Sequence, residues 1–527
     1  MPMRSKPLVL ASLVVAAFTI NLDTTIVNVA LPTLVRRLNA TNSQLQWVVD
    51  AYNLVFAALL LTSGSLSDRL GRKGMLLGGL GLFSVASFIG GLTTTPVQLI
   101  GARVAMGLGA AMIFPATLSL IANVFTGRVE RARAIGIWGA SAGVAVAMGP
   151  IAGGWLLEHF GWASIFYAMA PVGLLAAVMV AASVPRSRDR TAGRIDPPGF
   201  GLSTLVMAIL VFSLIEAPVH GWAAGRTVAG FLLAASTLAV FVVWERSTPH
   251  PMLDVSLFRV PRFTAASASV TVAFFALFGF IFLMTQYFQF IQGYGALSTG
   301  VHLLPVAVSV GAASVVGTKL AIRFGTKLIV TAGLLATTLF YGWVAAVIDS
   351  HTSYGVIAVQ MVLYGIGMGF TSAPATESIM GAVSRQKAGV GSAVNDATRL
   401  LGGTLGVAVI GSVYASLYGF RLSQTLPARL PAYAAQAAHQ SVGAALVVAQ
   451  RVAALGHPQL AGAVHQAATN AFLHGISVGC LVAGAVAAGG ALLAGALLPA
   501  QPPTESVVEP AEPDSALVPV PVLALDE

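Results

Sequence analysis

Long apolar stretches, separated by short loops that carry most of the charge, recur along almost the whole chain. A helix of about 20 consecutive apolar residues crosses the hydrocarbon core of a bilayer. Of the 527 residues, 56% are hydrophobic and 9% are charged, whereas soluble domains carry about 25% charged residues. This pattern excludes a soluble globular protein and predicts an all-α polytopic membrane protein.

Proline, glycine, loop charges and interfacial aromatic residues divide the apolar stretches into fourteen predicted transmembrane helices. Their predicted bounds are 8–32, 44–66, 75–94, 97–124, 133–157, 164–184, 198–216, 226–244, 263–286, 300–322, 327–348, 354–380, 389–417 and 473–499. The long connection 418–472 is alanine-rich, and we expect short amphipathic helices over the outer mouth. Its three histidines, His439, His457 and His465, are spaced too widely to favour a metal site.

The basic residues predict the orientation of the chain. With the N-terminus inside, 20 of the 28 Lys and Arg residues fall in inner segments, six fall in outer segments, and Arg103 and Arg399 fall inside helices. We therefore expect a multi-pass protein of the bacterial plasma membrane with both termini in the cytoplasm. Because the basic residues are dispersed over short loops, no nucleic-acid partner is expected. Residues 500–527 hold six acidic residues and no basic one, and are predicted to form a disordered tail.

An internal repeat suggests that the chain contains two related halves. The segment PATLSLI from Pro115 recurs as PATESIM from Pro374, and the loop RLGRK from Arg69 recurs as RFGTK from Arg323. The two offsets are similar, at 259 and 254 residues. The predicted units are an N-terminal six-helix bundle, an inserted pair (helices 7 and 8), a C-terminal six-helix bundle with the long outer loop, and the tail, bounded by 1–184, 185–262, 263–499 and 500–527.

The loop between predicted helices 2 and 3 carries the strongest motif, GSLSDRLGRK. Its glycines permit a tight turn, and its aspartate can cap a helix or pair with a base on a neighbouring helix. Such pairs can latch two helix bundles in one state and release them in another. A purely topogenic loop would explain the basic residues but not the glycines and the aspartate. The motif residues are Gly64, Asp68, Arg69, Gly71, Arg72 and Lys73.

Ionisable residues inside predicted helices are functional candidates, because charge is costly within a bilayer. Asp23 lies 15 residues after Leu8, hence about 22 Å along the first helix. Asp50 and Arg103 are predicted near the same depth. A carboxylate there could take up and release protons as its surroundings alternate. The alternatives are a structural pair of Asp23 with Arg103 and a solvated, shallow Asp50.

A second group of charges lies nearer the inner side. Glu377 replaces Leu118 of the repeat and has no partner on its own helix, which makes it a candidate for a second proton or cation site. Asp396 and Arg399 are three residues apart on one helix face, and a structural ion pair is the favoured interpretation. Aromatic residues around predicted helix 9, including Phe274 and Phe278, suit a lipophilic cation or a lipid-facing belt equally well.

Four motifs together resemble a known family. The loop 64–73 resembles the signature of the major facilitator superfamily, and the segment 103–109, RVAMGLG, resembles its fourth-helix motif. The segment 22–32, LDTTIVNVALP, resembles the first helix of the fourteen-helix drug:proton antiporters, the QacA/EmrB-like exporters. A glycine-rich run resembles the antiporter motif of helix 5, which implies a hinge that limits leak, although simple close packing explains it as well. Its residues are Gly149, Pro150, Gly153 and Gly154.

The resemblance implies a proton-coupled secondary exporter of small hydrophobic, often cationic drugs, with two six-helix bundles, an inserted helix pair and alternating access. The expected partners are the substrate, protons and the lipid bilayer, and the protein is expected to act as a monomer. No cofactor is implied, and the chain has no Walker A motif for ATP. An exporter of one endogenous metabolite, lipid or siderophore, or a non-transporting sensor or scaffold, remains an alternative. No membrane-enzyme constellation is evident in the sequence.

Overall fold

The computed structural model describes residues 5–38, 42–188, 196–249, 251, 253–384 and 387–500, and these are almost entirely helical. The predicted tail therefore lies outside the described residues. The helices are α1 (Lys6–Leu38), α2 (Asn42–Leu70), α3 (Arg72–Gly91), α4 (Pro96–Val124), α5 (Arg128–Phe160), α6 (Ala163–Ser183), α7 (Pro197–His220), α8 (Gly225–Ser247), α9 (Pro261–Gln286), α10 (Ala296–His302), α11 (Leu304–Phe324), α12 (Thr326–Val347), α13 (Tyr354–Gly381), α14 (Ala388–Thr425), α15 (Ala432–Gln440), α16 (Val442–Ala454) and α17 (Pro458–Leu497).

Most of these helices are built to cross a membrane. Within the described parts of the chain, thirteen spans are long and apolar enough to do so. They are contributed by every helix of 20 residues or more except α5, and α10 joins α11 in one span. Helix α5, which coincides with the fifth predicted helix, is 33 residues long and packs against α1, α10, α11 and α13 in the interior of the bundle. The protein is therefore a multi-pass membrane protein.

Two apolar cores organise the packing. Helices α1 to α6 enclose one core, which includes Leu13, Leu60 and Phe83. Helices α9, α11, α12, α13, α14 and α17 enclose a second, which includes Phe280 and Tyr364. Helix α7 packs on α2 and α14, and α8 packs on α7. The pair α7–α8 thus lies beside the interface between the two groups of helices, called the seam below. The seam itself is formed by α2, α4, α5, α11, α13 and α14.

The end of the bundle that contains the predicted cytoplasmic loops is called the inner end below. Two turns at this end need glycine. Gly71, between α2 and α3, has φ +122°, and Gly325, between α11 and α12, has φ +93°. Side chains rarely adopt this backbone conformation. The two glycines occupy equivalent positions of the repeated loop, so the repeat seen in the sequence has a structural counterpart.

The outer end differs from the predicted helix bounds. Helix α14 continues to Thr425 instead of ending at 417, and α17 begins at Pro458 instead of 473. The connection between them is accordingly shorter than predicted and contains the two short helices α15 and α16. These pack on α14 and α17 through an apolar cluster that includes Val448 and Val464. The chain's single cysteine, Cys480, is buried in α17.

Candidate transport site

A buried ion pair joins the first and fourth helices. The side chain of Arg103 donates a hydrogen bond from Nη1 to Oδ2 of Asp23 at 2.6 Å, and neither side chain is more than 1% exposed. The Nε of Arg103 donates to the carbonyl oxygen of Val48 at 3.0 Å. Its guanidinium carbon lies 4.2 Å from the centre of the Tyr52 ring. The arginine is thus fixed by α1 and α2, and the predicted proximity of Asp23 and Arg103 is confirmed.

The aspartate of this pair is less fully satisfied than the arginine. Within the described part of the chain, no group donates a hydrogen bond to Oδ1 of Asp23. A carboxylate oxygen that is buried without a donor is costly. A proton or a cationic substrate reaching this oxygen would relieve that cost. The side chain of Asp50, the other acidic candidate at this level, lies outside the described residues.

At the inner end, Asp68 connects α2 to α14. The backbone N–H groups of Gly389 and Val390, in the first turn of α14, donate to Oδ2 of Asp68 at 2.7 and 3.3 Å. Unsatisfied N–H groups at a helix N-terminus favour a carboxylate. The guanidinium of Arg72 holds Oδ1 at 2.6 Å, and Ser119 donates to the same oxygen at 3.4 Å. The motif aspartate therefore bridges the two groups of helices.

The other motif residues support this bridge. A Cβ atom on Gly64 would lie 2.5 Å from both Cβ of Ala393 and the carbonyl oxygen of Gly389, so only glycine allows α2 to approach α14 this closely. Arg72 also donates to the hydroxyl of Ser187 at 2.7 Å. Lys73 donates to the carbonyl oxygens of Ala181 and Val184, both at 2.8 Å. These bonds tie the loop to the end of α6, while Arg69 lies partly exposed at the end of α2.

Glu377 forms a second bridge at the inner end. Its carboxylate lies 3.7 Å from Nη2 of Arg131 in α5 and 3.8 Å from Nη2 of Arg262 in α9. The glutamate is 5% exposed. The sequence offered no partner for Glu377, because the two arginines are distant in the chain and had been interpreted as topogenic charges. The repeated loop has Ile322 where the first copy has Asp68, and Ile322 and Glu377 line one small cleft together with Arg128.

The predicted ion pair between Asp396 and Arg399 is not formed. Within the described residues, no basic nitrogen lies within 4.0 Å of the Asp396 carboxylate, which instead accepts hydrogen bonds from Asn395 at 3.1 Å and Ser392 at 3.5 Å. Helical spacing places two residues on one face but does not fix the direction of their side chains. Arg399 contacts aromatic rings instead.

The guanidinium of Arg399 contacts two aromatic rings on different helices. Its central carbon lies 4.6 Å from the ring of Trp138 in α5 and 4.9 Å from the ring of Phe274 in α9. Nη2 of Arg399 donates to Oγ1 of Thr376 at 3.2 Å. Sequence reasoning named Phe274 among several aromatic residues but missed Trp138. The sequence feature that could have indicated Trp138 is its position directly before a run of small residues, 139–143.

The glycine-rich run of α5 serves close packing on two sides. A Cβ atom on Gly149 would clash with Thr25 of α1, and one on Gly154 would lie 3.3 Å from Cβ of Leu297 in α10. Gly153 is buried in the same stretch, whereas the side chain of Pro150 lies outside the described residues. The motif thus brings α5 against both α1 and the outer end of the other group of helices.

Comparison of the sequence with known protein families identifies the family to which this bundle of helices belongs. The sequence model of the Major Facilitator Superfamily matches residues 13–407. The chain belongs to the Major Facilitator Superfamily. Its fold resembles that of a major facilitator of known structure, the human organic anion transporter MFSD10 (TETRAN), with a TM-score of 0.59 and 13% identity over 92% of this chain and all of the other. At this identity the likeness concerns the fold alone.

Relatives of this major facilitator bear names that refer to drug resistance. It is 36% identical to the multidrug resistance protein Stp of Mycobacterium tuberculosis over 81% of this chain and 79% of Stp. It is 33% identical to the multidrug efflux pump LfrA of Mycolicibacterium smegmatis, over 86% and 89% of the two chains. The methyl viologen resistance protein SmvA of Salmonella typhimurium is also 33% identical, over 91% and 95%. The similarity extends along nearly whole chains.

Proposed function

We propose that this protein exports small hydrophobic, often cationic compounds across the bacterial plasma membrane in exchange for protons. The observation that carries the proposal is the buried Asp23. One of its oxygens accepts a hydrogen bond from Arg103, and the other has no donor among the residues that the structure describes. Buried ionisable groups of this kind serve proton and ion pathways. The names of the relatives Stp, LfrA and SmvA supply the substrate class.

Competition at Asp23 provides the coupling. The carboxylate binds either a proton or a cationic substrate, and Arg103 stays in place through Val48 and Tyr52 in both cases. Substrate taken up from the inner side displaces the proton. A proton from the outer side then displaces the substrate. Because one group cannot hold both, export of one compound requires inward movement of a proton.

Alternating access requires the inner end to open and close. In this structure Asp68 and Glu377 connect helices of the two groups at that end. We assign the moving bodies to residues 1–184 and 263–499, with both termini in the cytoplasm. Breaking the bridges at Asp68 and Glu377 opens the inner end, and the glycine contacts of α5 act as the hinge. The protein performs this cycle as a monomer.

Proton release from everted membrane vesicles tests the proposal. With an acidic interior established, addition of ethidium to vesicles that contain the wild-type protein should release protons, as reported by a fluorescent pH probe. Asp23→Asn removes the titrating group while keeping its shape, and should abolish this release. Equal expression of the two proteins is verified by immunoblot.

The matched control is Glu130→Gln, which removes an acidic group whose side chain is 53% exposed and paired with Lys6. This variant should release protons like the wild type. If wild-type vesicles release no protons with ethidium, methyl viologen or several neutral drugs, the proposal fails, and a narrow-substrate exporter or a non-transporting scaffold takes its place.

A further inference from the structure

The buried arginine of α14 is held in an unusual way. Arg399 is 5% exposed, yet its guanidinium donates a single side-chain hydrogen bond, to Thr376, and its Nε has no partner among the described residues. Most of its contact is with the aromatic pair, Trp138 and Phe274. A guanidinium has five N–H donors. Its desolvation is thus offset mainly by the ring faces.

A buried carboxylate lies on the same helix without a cation in contact. Asp396 is 2% exposed and receives hydrogen bonds only from the neutral side chains of Asn395 and Ser392 in the described part of the chain. Arg399 attracts Asp396 without direct contact between the two charged groups, so the carboxylate lacks the hydrogen bonds of a close ion pair. A second cation seated near the rings would be attracted by both the ring faces and Asp396.

We propose that the aromatic pair and Asp396 form a binding site for planar aromatic cations, and that the guanidinium of Arg399 occupies it when no substrate is bound. This inference rests on the proposed export function and specifies its substrate class. The guanidinium is itself a small, flat, delocalised cation. The substrate cation displaces it, takes its place against Trp138 and Phe274, and balances the charge of Asp396.

The position of the site suits this exchange. Trp138 is contributed by α5, Phe274 by α9 and Arg399 by α14, so the site spans the seam between the two groups of helices. Trp138 is fixed by a hydrogen bond from its Nε1 to Oγ1 of Thr117 at 3.2 Å. Phe274 is only partly buried and stacks on Phe278. One wall is therefore rigid, while the other is accessible to an entering ligand.

Ethidium binding to the full-length protein in lipid nanodiscs tests the site, with fluorescence as the readout. Trp138→Leu should weaken ethidium binding about thirtyfold, because a desolvated cation–π contact contributes about 2 kcal/mol. Trp138→Phe retains a ring and should lose less. Arg399→Gln removes the internal competitor and should bind ethidium more tightly than the wild type. An arginine with a merely structural role predicts weaker or unchanged binding for that variant.

Phe114→Leu is the matched control. Phe114 packs 5.4 Å from Trp138 in the same aromatic series but does not contact Arg399 within the described structure. It should leave the affinity for ethidium unchanged. Phenanthridine, which is planar and neutral, should lose less affinity than ethidium in Trp138→Leu, because the ring face attracts a cation more strongly than a neutral ring.

The two proposals fail in different ways. Loss of affinity in Phe114→Leu equal to that in Trp138→Leu, or an equal loss for phenanthridine, would overturn the site as a cation site. Weaker or unchanged ethidium binding by Arg399→Gln would overturn the displacement. In either case proton release that depends on Asp23 would persist, so the export function would stand without this site.

Discussion

Two carboxylate–base contacts of the same length show that the surroundings of a residue decide what its charge does. Asp23 meets Arg103 at 2.6 Å with both side chains buried, and Lys6 meets Glu130 at 2.6 Å with about half of each side chain exposed. Exposed pairs contribute about 0–1 kcal/mol. Removing one partner of a buried pair costs about 3–5 kcal/mol, because the other charge stays buried and unpaired.

We therefore expect Arg103→Met to lower the stability of the protein in detergent strongly. Asp23→Asn/Arg103→Met should recover part of the loss, since no unpaired charge remains. Lys6→Met, the exposed control, should change stability by about 1 kcal/mol or less. Thermal unfolding followed by light scattering or intrinsic fluorescence measures all three. Equal destabilisation by Lys6→Met and Arg103→Met would show that burial does not increase the contribution of the Asp23–Arg103 pair to stability.

Sequence predicted that Asp23 and Arg103 lie at a similar depth, because depth along a helix follows from residue count. Their ion pair was one of two alternatives. The direction in which Arg399 extends did not follow, since its contacts depend on Trp138 and Phe274, which come from other helices. The same holds for Glu377, whose two arginine partners lie far away in the chain. Local spacing carries no information on such contacts.

At the scale of helices, two bridges connect the two groups of helices at the inner end, and each half of the repeat contributes one acidic residue. In the first half, Asp68 receives the N-terminus of α14. In the second, Ile322 stands in the equivalent position, and Glu377 of α13 provides the acid for Arg131 near the start of α5. The repeated loop alone made a second latch doubtful. The structure supplies one from a different helix.

The inner end should open more often when fewer of the two bridges, at Asp68 and Glu377, remain. Asp68→Asn should increase amide hydrogen exchange at Gly389 and Val390, because their acceptor becomes a neutral side chain. Glu377→Gln should increase exchange in the first turns of α5, and the double variant should increase both. Mass spectrometry of exchanged peptides is the measurement. Glu216→Gln, on α7 and away from both bridges, serves as the control. Exchange no faster in the double variant than in this control would contradict the latches.

Helix bounds were predicted well wherever the bilayer sets them. The inner ends of α2, α4 and α13 lie within a few residues of their predicted ends, because loop charges and glycine turns mark them. The outer ends of α14 and α17 extend beyond their predicted bounds. In α17 an alanine-rich segment continues the helix beyond the apolar span. Amino-acid composition therefore locates the membrane-spanning segments more accurately than it locates the ends of helices outside the membrane.

On the scale of the whole molecule, a series of rings connects the two buried charge centres. It begins with Tyr52 against Arg103 and proceeds through Phe56 and Phe114 to Trp138 against Arg399. The series starts in the first group of helices and ends on α14 of the second. Ring-to-ring packing is thus continuous between the two buried arginines.

Export should depend on the proton gradient as a whole. For a neutral substrate, one proton moving inward supplies about 2.3 kcal/mol per 100 mV and about 1.4 kcal/mol per pH unit, together enough for a hundredfold substrate gradient of about 2.8 kcal/mol. In one-for-one exchange with a monovalent cation such as ethidium, the two membrane-potential terms cancel and the pH term drives export. An ionophore that collapses both terms should stop ethidium efflux from energised cells while ATP stays high. Efflux is followed by the loss of ethidium fluorescence. Efflux that survives the ionophore would contradict proton coupling.

Cys480 gives this molecule a practical property. It is the chain's only cysteine, and it is 3% exposed within α17. Thiol-reactive labels therefore meet almost no background, and spin labels or fluorophores attached to cysteines introduced in pairs would report separations between chosen helices. Distances across the inner and outer ends could then be followed during turnover without first removing native thiols.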